Sequence, residues 1–260
     1  MLPTIVIGPW DLLLIAAVSV QATVLAYLYH PRWKALVLTL PIPFTMASLA
    51  LGRPIDATNI LGLGLLLLFT HGVRVLHQRL RLPIVAAIVL SALAYCVAGW
   101  ALAGVVPPTD AFFWGAGLGS LAVGALLLRL TRPREEPGHR SPLPLWIKLP
   151  AIMAVIFLLV LIKQGLQGFM TLFPMVGVVA AYEARHSLWT MCRQIPVIML
   201  TLAPLMMTVR LTQGRLGLGP ALALGWVVFL AVMLPLTRAT WQRSGGTGHK
   251  GQPTARQAGA

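Results

Sequence analysis

Nine stretches of mainly apolar residues, each close to 20 residues long and separated by short polar or basic turns, leave this chain few ways to fold. About 20 apolar residues are what an α-helix needs to cross the hydrocarbon core of a bilayer. Inside lipid only a helix or a closed barrel satisfies its own backbone hydrogen bonds. The runs lie near 11–29, 35–51, 58–76, 83–106, 112–130, 147–164, 168–184, 194–211 and 218–237. With 58% hydrophobic residues, 10% charged and a mean hydropathy of +0.83, the 260 residues hold too little polar surface for a water-soluble domain. The expectation is an all-α integral membrane protein of about nine transmembrane helices.

The chain carries 20 Lys and Arg against 6 Asp and Glu. These cations sit singly between apolar runs, without the polar surface or motif of a nucleic-acid binder, and no nucleic-acid partner is expected. Topology explains them better, because cytoplasmic loops collect Lys and Arg. With the N-terminus outside, sixteen of the twenty fall in inside segments and four outside: Arg53, Lys163, Arg210 and Arg215. This orientation puts the C-terminus in the cytoplasm. No basic segment precedes the first apolar run, so that run is read as a retained span. Six tryptophans fall near predicted span ends, where the ring suits the headgroup level. Trp100 and Trp226 lie deeper and are read as packing residues.

The two halves resemble each other. Val73-Arg74 and Arg79-Leu80 recur as Val209-Arg210 and Arg215-Leu216, at a constant offset. Leu38-Thr39-Leu40-Pro41 faces Met170-Thr171-Leu172-Phe173-Pro174. This predicts two four-helix repeats, residues 1–110 and 146–238, joined by a linking transmembrane helix over 111–130 and a polar cytoplasmic linker over 131–145. A disordered cytoplasmic tail is expected over 239–260. Equivalent helices are offset by five spans, an odd number, so the repeats are inverted, an arrangement recurrent in transporters. The linking helix carries Gly115-x-x-x-Gly119 and Ser120-x-x-x-Gly124, small-residue spacings suited to close packing between the repeats.

In the second half, Lys163, Gly168, Leu172-Phe173-Pro174 and the small and apolar residues up to Tyr182 form a pattern. Over about residues 147–238 it resembles the GlpM-type family of small four-span inner-membrane proteins. The first half is similar through Leu40-Pro41 and the Arg74/Arg79 loop. The chain departs from the family pattern at Glu183-Ala184-Arg185. The resemblance implies a bacterial inner (plasma) membrane protein formed from two such units in one chain, and it implies no reaction.

No catalytic constellation is visible: there is no phosphate-binding glycine loop, HExxH, nucleophile elbow or cysteine pair at ligand spacing. Enzyme activity, a metal site and a cofactor are therefore not expected. The suggestive residues are prolines. A proline inside a helix removes a backbone hydrogen bond, and in lipid the freed carbonyl needs another partner. Pro41 and Pro174 occupy equivalent positions early in the second and seventh spans, and matched broken helices mark transport sites. The candidate solute pathway comprises Thr39, Pro41, Lys163, Thr171, Phe173, Pro174, Tyr182 and Glu183. Acids are nearly absent from the spans, so a small anion or polar solute fits better than a cation. The expected function is a small inverted-repeat transporter or channel whose partners are the lipid bilayer and that solute. The rival is a non-transporting scaffold for an envelope biosynthesis complex.

Overall fold

The computed structural model describes residues 8–131, Glu136, 144–161 and 167–245, and every regular element in them is helical. In chain order these are α1 (Pro9–Tyr27), α2 (Pro31–Thr39), α3 (Ile42–Leu51) and α4 (Ala57–Arg74), which runs on into a π-helical turn over Val75–Arg79. Then come α5 (Ile84–Ala103), α6 (Asp110–Leu130), α7 (Leu145–Leu161), a 3₁₀ segment (Gln167–Leu172), α8 (Met175–Glu183), α9 (Leu188–Leu216) and α10 (Leu218–Gly245).

Among the described residues seven helical stretches are long and apolar enough to cross a membrane. They are 9–27, 31–51, 57–79, 84–103, 110–130, 188–216 and 218–240. The apolar helix over 168–183 is shorter, and α7 has 17 residues. The protein is a multi-pass, all-α membrane protein.

Sequence reasoning placed several ends too tightly. The second span begins at Pro31 rather than near 35, because Arg32, Trp33 and Lys34 form its first turn. Pro41 consequently breaks the span in its middle rather than early. The expected tail from 239 is helical as far as Gly245, since no proline or glycine interrupts the sequence before that point. The remaining tail, 246–260, lies outside the described residues.

The bundle is layered around α4 and α9, which pack on each other. Within the membrane-length windows 61% of α9 is buried, against 22% of α6 and 28% of α5 and α10, so α9 is central and the others face outward. One apolar cluster joins Leu14 and Val18 of α1, Phe69 and Val73 of α4, Tyr95 of α5, and Phe169 and Phe173 of the second broken span. A second joins Ile60 and Leu63 of α4 to Phe113 of α6, Leu205 and Val209 of α9, and Phe229 of α10. Helix α4 thus contributes one face to each. Large apolar side chains such as Leu118 and Val227 are exposed on the outer helices and would be covered by acyl chains. Trp100 is among them, 71% exposed on α5, so it does not pack inside.

The linking helix α6 does lie against both halves, through Gly124 of the second expected motif and through Gly117, but not through Gly115 and Gly119. A Cβ at Gly115 or Gly119 would meet nothing within 4 Å. One at Gly117 would sit 3.3 Å from Ile60 and 3.5 Å from Met207, and one at Gly124 would sit 3.1 Å from Met199. Two turns separate Gly117 from Gly124, which puts both on the buried face.

Candidate functional site

Both prolines singled out in the sequence break their helices. At the first break α2 ends at Thr39 and α3 starts at Ile42, with Pro41 at its N-cap. The last carbonyls of α2 lack their full set of helical donors, Val37 O keeping only a 3.3 Å bond from Leu40 N, and a neighbouring span supplies more. Gln21 of α1 is buried and gives its amide N–H groups to Val37 O at 2.7 Å and Leu40 O at 3.2 Å. Thr45 then returns its own N–H and hydroxyl to Pro41 O, at 2.9 and 2.8 Å.

The second break is built differently. The chain runs as a 3₁₀ segment to Leu172, passes Phe173 and Pro174, and resumes as α8. The Tyr95 hydroxyl donates to Phe169 O at 2.8 Å, and its ring meets Phe173 edge-on with centroids 5.2 Å apart. Asn59, in the first turn of α4, donates to Gly168 O at 3.2 Å and to Thr171 Oγ1 at 2.9 Å. Its carbonyl oxygen accepts from Asp56 N at 2.8 Å, while the Asp56 carboxylate accepts from Thr58 N. Asp56 therefore caps α4 in a capping box, and the same box orients Asn59 toward the break. Gly168 permits this approach: a Cβ there would stand 2.0 Å from Thr58 Oγ1.

The two breaks answer each other. On the opposite side of the bundle, Gln194 of α9 donates its amide to Thr39 Oγ1, as Asn59 of α4 does to Thr171. Trp226 of α10 donates to Thr45 Oγ1 at 2.8 Å, on α3, while Tyr95 of α5 donates to Phe169 O. Each broken span is held by the central and last helices of the other half.

Between the breaks lies a cavity of about 60 Å³. Thr39, Pro41, Thr171, Phe173 and Pro174 all line it, so five of the eight predicted site residues converge. Leu38, Phe44, Thr70, Gly177, Met191 and Ile195 complete much of its wall, which among the described residues contains no charged side chain. Tyr182 and Glu183 do not join it. Tyr182 is partly exposed at the end of α8, with the Arg185 guanidinium 5.2 Å from its ring centroid. Glu183 is buried next to α2, and its backbone carbonyl accepts from the Lys34 ammonium at 3.2 Å. Both belong to the end of the bundle where α2 starts and α8 stops, beyond the reach of the breaks. Lys163 lies outside the described residues.

The ends of the bundle are closed by polar contacts. At the Lys34 end, Arg74 lies over the Trp189 ring, 4.3 Å from its centroid, and Glu136 from the linker accepts from Trp189 N and Thr190 N at the start of α9. At the other end, Arg210 binds Asp110 at 2.7 Å and donates to Ile55 O at 3.1 Å, and Gln213 exchanges two bonds with the Ile55 backbone. A cleft of about 630 Å³ opens there, lined by Arg53, Asp110, Trp114, Arg210 and Gln213 among others. Among the described residues no group of three or more His, Cys, Asp or Glu side chains could hold a metal ion.

Sequence reasoning missed Gln21, Lys34, Asn59, Thr70, Tyr95 and Gln194. The amides carried a usable signal: Gln21, Asn59 and Gln194 are strong hydrogen-bonding groups within or at the edge of apolar runs, where each needs a partner.

No protein-family model matches the chain, and no curated protein and no solved structure matches it.

Proposed function

We propose that the chain is a small inverted-repeat transporter or channel for a small polar solute, with the cavity between its two broken spans on the pathway. The observation that carries this reading is the convergence of Thr39, Pro41, Thr171 and Pro174 on one cavity from two separate, proline-broken helices. A proline break in a span is costly unless compensated, and here Gln21, Asn59 and Gln194 all serve the two breaks. Lipid-embedded proteins tolerate irregular backbone where it lines a cavity.

The inverted repeat has structural support of the same kind. Helix α1 lies against α7, α4 against α9, and α3 against the 3₁₀ segment, the pairs expected from a two-fold axis in the membrane plane. The duplicated Val73-Arg74 and Val209-Arg210 behave alike: both valines are buried, and each arginine reaches the segment that opens the other half's central helix. On this reading the chain has nine spans, an outside N-terminus and a cytoplasmic C-terminus, in a bacterial inner membrane. Each half is a GlpM-like unit.

The testing experiment has two arms. Reporters fused after Gly138 and after Gly214 should report opposite sides of the membrane; the same side for both would remove the inverted repeat. Purified protein in sealed liposomes should then pass small polar solutes faster than protein-free liposomes. A protein that passes none, but co-purifies with envelope enzymes, is a scaffold.

A further inference from the structure

We infer that the cavity selects uncharged solutes that donate hydrogen bonds, small amides and polyols, and that Thr39, Thr70 and Thr171 are the groups that select them. The inference rests on the transport reading and deepens it.

A hydroxyl has one hydrogen to donate and two lone pairs to accept with. Among the described residues the three polar side chains on the cavity wall are threonines, and each has its hydrogen engaged by a carbonyl of its own segment. Thr39 donates to Ala35 O at 2.8 Å, Thr70 to Leu66 O at 2.8 Å, and Thr171 to Gly168 O at 2.7 Å. The amide of Gln194 takes one lone pair of Thr39, and that of Asn59 takes one of Thr171. What remains toward the cavity is acceptor capacity only: one lone pair each on Thr39 and Thr171, two on Thr70.

The orientation of Asn59 is fixed by its partners. Gly168 O can only accept and Asp56 N can only donate, so the side-chain nitrogen must face Gly168 and Thr171. Asn59 and Gln194 are thus positioning residues. They hold the threonine hydroxyls in the acceptor state.

Among the described residues the wall offers an anion no cationic side chain, only the threonine lone pairs and the half-helix N–H groups, and burying a charge without a counterion is expensive. A cation meets the first turns of α3 and α8, which contribute Phe44, Val176 and Gly177 to the lining. Helix N-termini carry partial positive charge and unbonded N–H groups. The same N–H groups suit the oxygen of a neutral molecule. The complementary solute therefore offers N–H or O–H groups to the threonines and a carbonyl or hydroxyl oxygen to the half-helix ends. A water needs about 10–15 Å³ of such space, so the 60 Å³ cavity holds roughly four waters, or one molecule the size of urea or glycerol.

Urea and acetate make a discriminating pair. They share shape and heavy-atom count, but urea is neutral and donates four N–H groups, whereas acetate is charged and only accepts. Radiolabelled urea, glycerol, acetate and ammonium uptake should be measured in liposomes carrying the full chain, buffered well above the pKa of acetic acid. The expected result is accelerated urea and glycerol uptake with acetate and ammonium at the protein-free rate. Thr39→Val with Thr171→Val should lower the protein-dependent urea rate by at least tenfold, and Thr39→Ser with Thr171→Ser should restore it, which a purely structural role for the methyl groups would not do. Thermal unfolding in detergent checks that each variant is folded; if the valine pair fails to fold, the single variants and the wild-type solute panel decide. Accelerated acetate or ammonium uptake without urea overturns the selection of uncharged donors and leaves transport standing. Uptake of none of the four overturns the donor selectivity and the transport reading together.

Discussion

Gly168→Ala should destabilise the protein by about 3 kcal/mol, and the reason is a distance. A Cβ at that position would lie 2.0 Å from Thr58 Oγ1, well short of the 3.4 Å at which ordinary contact begins, and 2.9 Å from Asn59 Oδ1. The Thr58 hydroxyl can rotate away only by giving up its 2.6 Å bond to Asp56 Oδ1, a loss of about 1 kcal/mol. The Asn59 amide has no such freedom, because both ends are bonded. The 3₁₀ segment must then back off, with an overpacking cost of about 1–3 kcal/mol and weakening of the Asn59 bonds to Gly168 O and Thr171. Thr58→Ala alone should cost about 1 kcal/mol through its lost hydrogen bond. It also removes the worst collision, so the double variant should be less destabilised than the two single effects combined, by roughly 1–2 kcal/mol. Equilibrium unfolding in mixed micelles of the four proteins closes the cycle. Strict additivity would mean that the alanine methyl never meets Thr58, and a neutral Gly168→Ala would mean that the 3₁₀ segment does not approach α4 as closely as described.

Gln21→Leu should cost about 1–3 kcal/mol, because it leaves the half-buried Leu40 carbonyl without its side-chain donor and Val37 O with only the 3.3 Å bond from Leu40 N; the same unfolding assay reads it, and an effect below about 0.5 kcal/mol would deny that Gln21 satisfies the break. Gly117→Leu should unfold α6 from Ile60 and Met207, whereas Gly115→Leu should leave the thermal midpoint within a few degrees, since its Cβ meets nothing. Asp110→Asn should shift stability by no more than about 0.5 kcal/mol and less at high salt, because that carboxylate is 71% exposed. Arg210→Ala should cost visibly more, as it also abandons Ile55 O and the Phe113 ring.

The sequence was most informative where a residue's chemistry acts on its own backbone. Pro41 and Pro174 cannot donate a hydrogen bond wherever they sit, so the breaks could be located before any packing was known. Asp56 acts in the same local way, capping its own helix through a carboxylate that accepts from Thr58 N. Span ends were less legible, because Lys34 reads as a loop residue by its charge alone, and only packing reveals that its ammonium reaches the Glu183 carbonyl. Glu183 looked like a pathway residue because buried acids are rare, yet its position at the end of α8 keeps it from the cavity. The amides were invisible as site residues because their roles are relational: Asn59 matters through Thr171 and Gln194 through Thr39, each more than a hundred residues away. Gly115 and Gly119 show the same limit, since spacing defines a helix face but not the neighbour it meets.

The crossed support of the two breaks has a bearing on how the chain is made. When α6 has just left the ribosome, Thr39 has no Gln194 to meet and Thr45 has no Trp226. The first half must wait in the bilayer with an interrupted helix whose outer partner has not been synthesised. Only when α9 and α10 arrive can that interruption be closed, and they in turn need Asn59 and Tyr95 from the waiting half. Contacts of such long sequence separation form late. Maturation is therefore a mutual event, in which each half serves as the other's assembly template, and two halves produced as separate chains should find and stabilise one another in the same membrane.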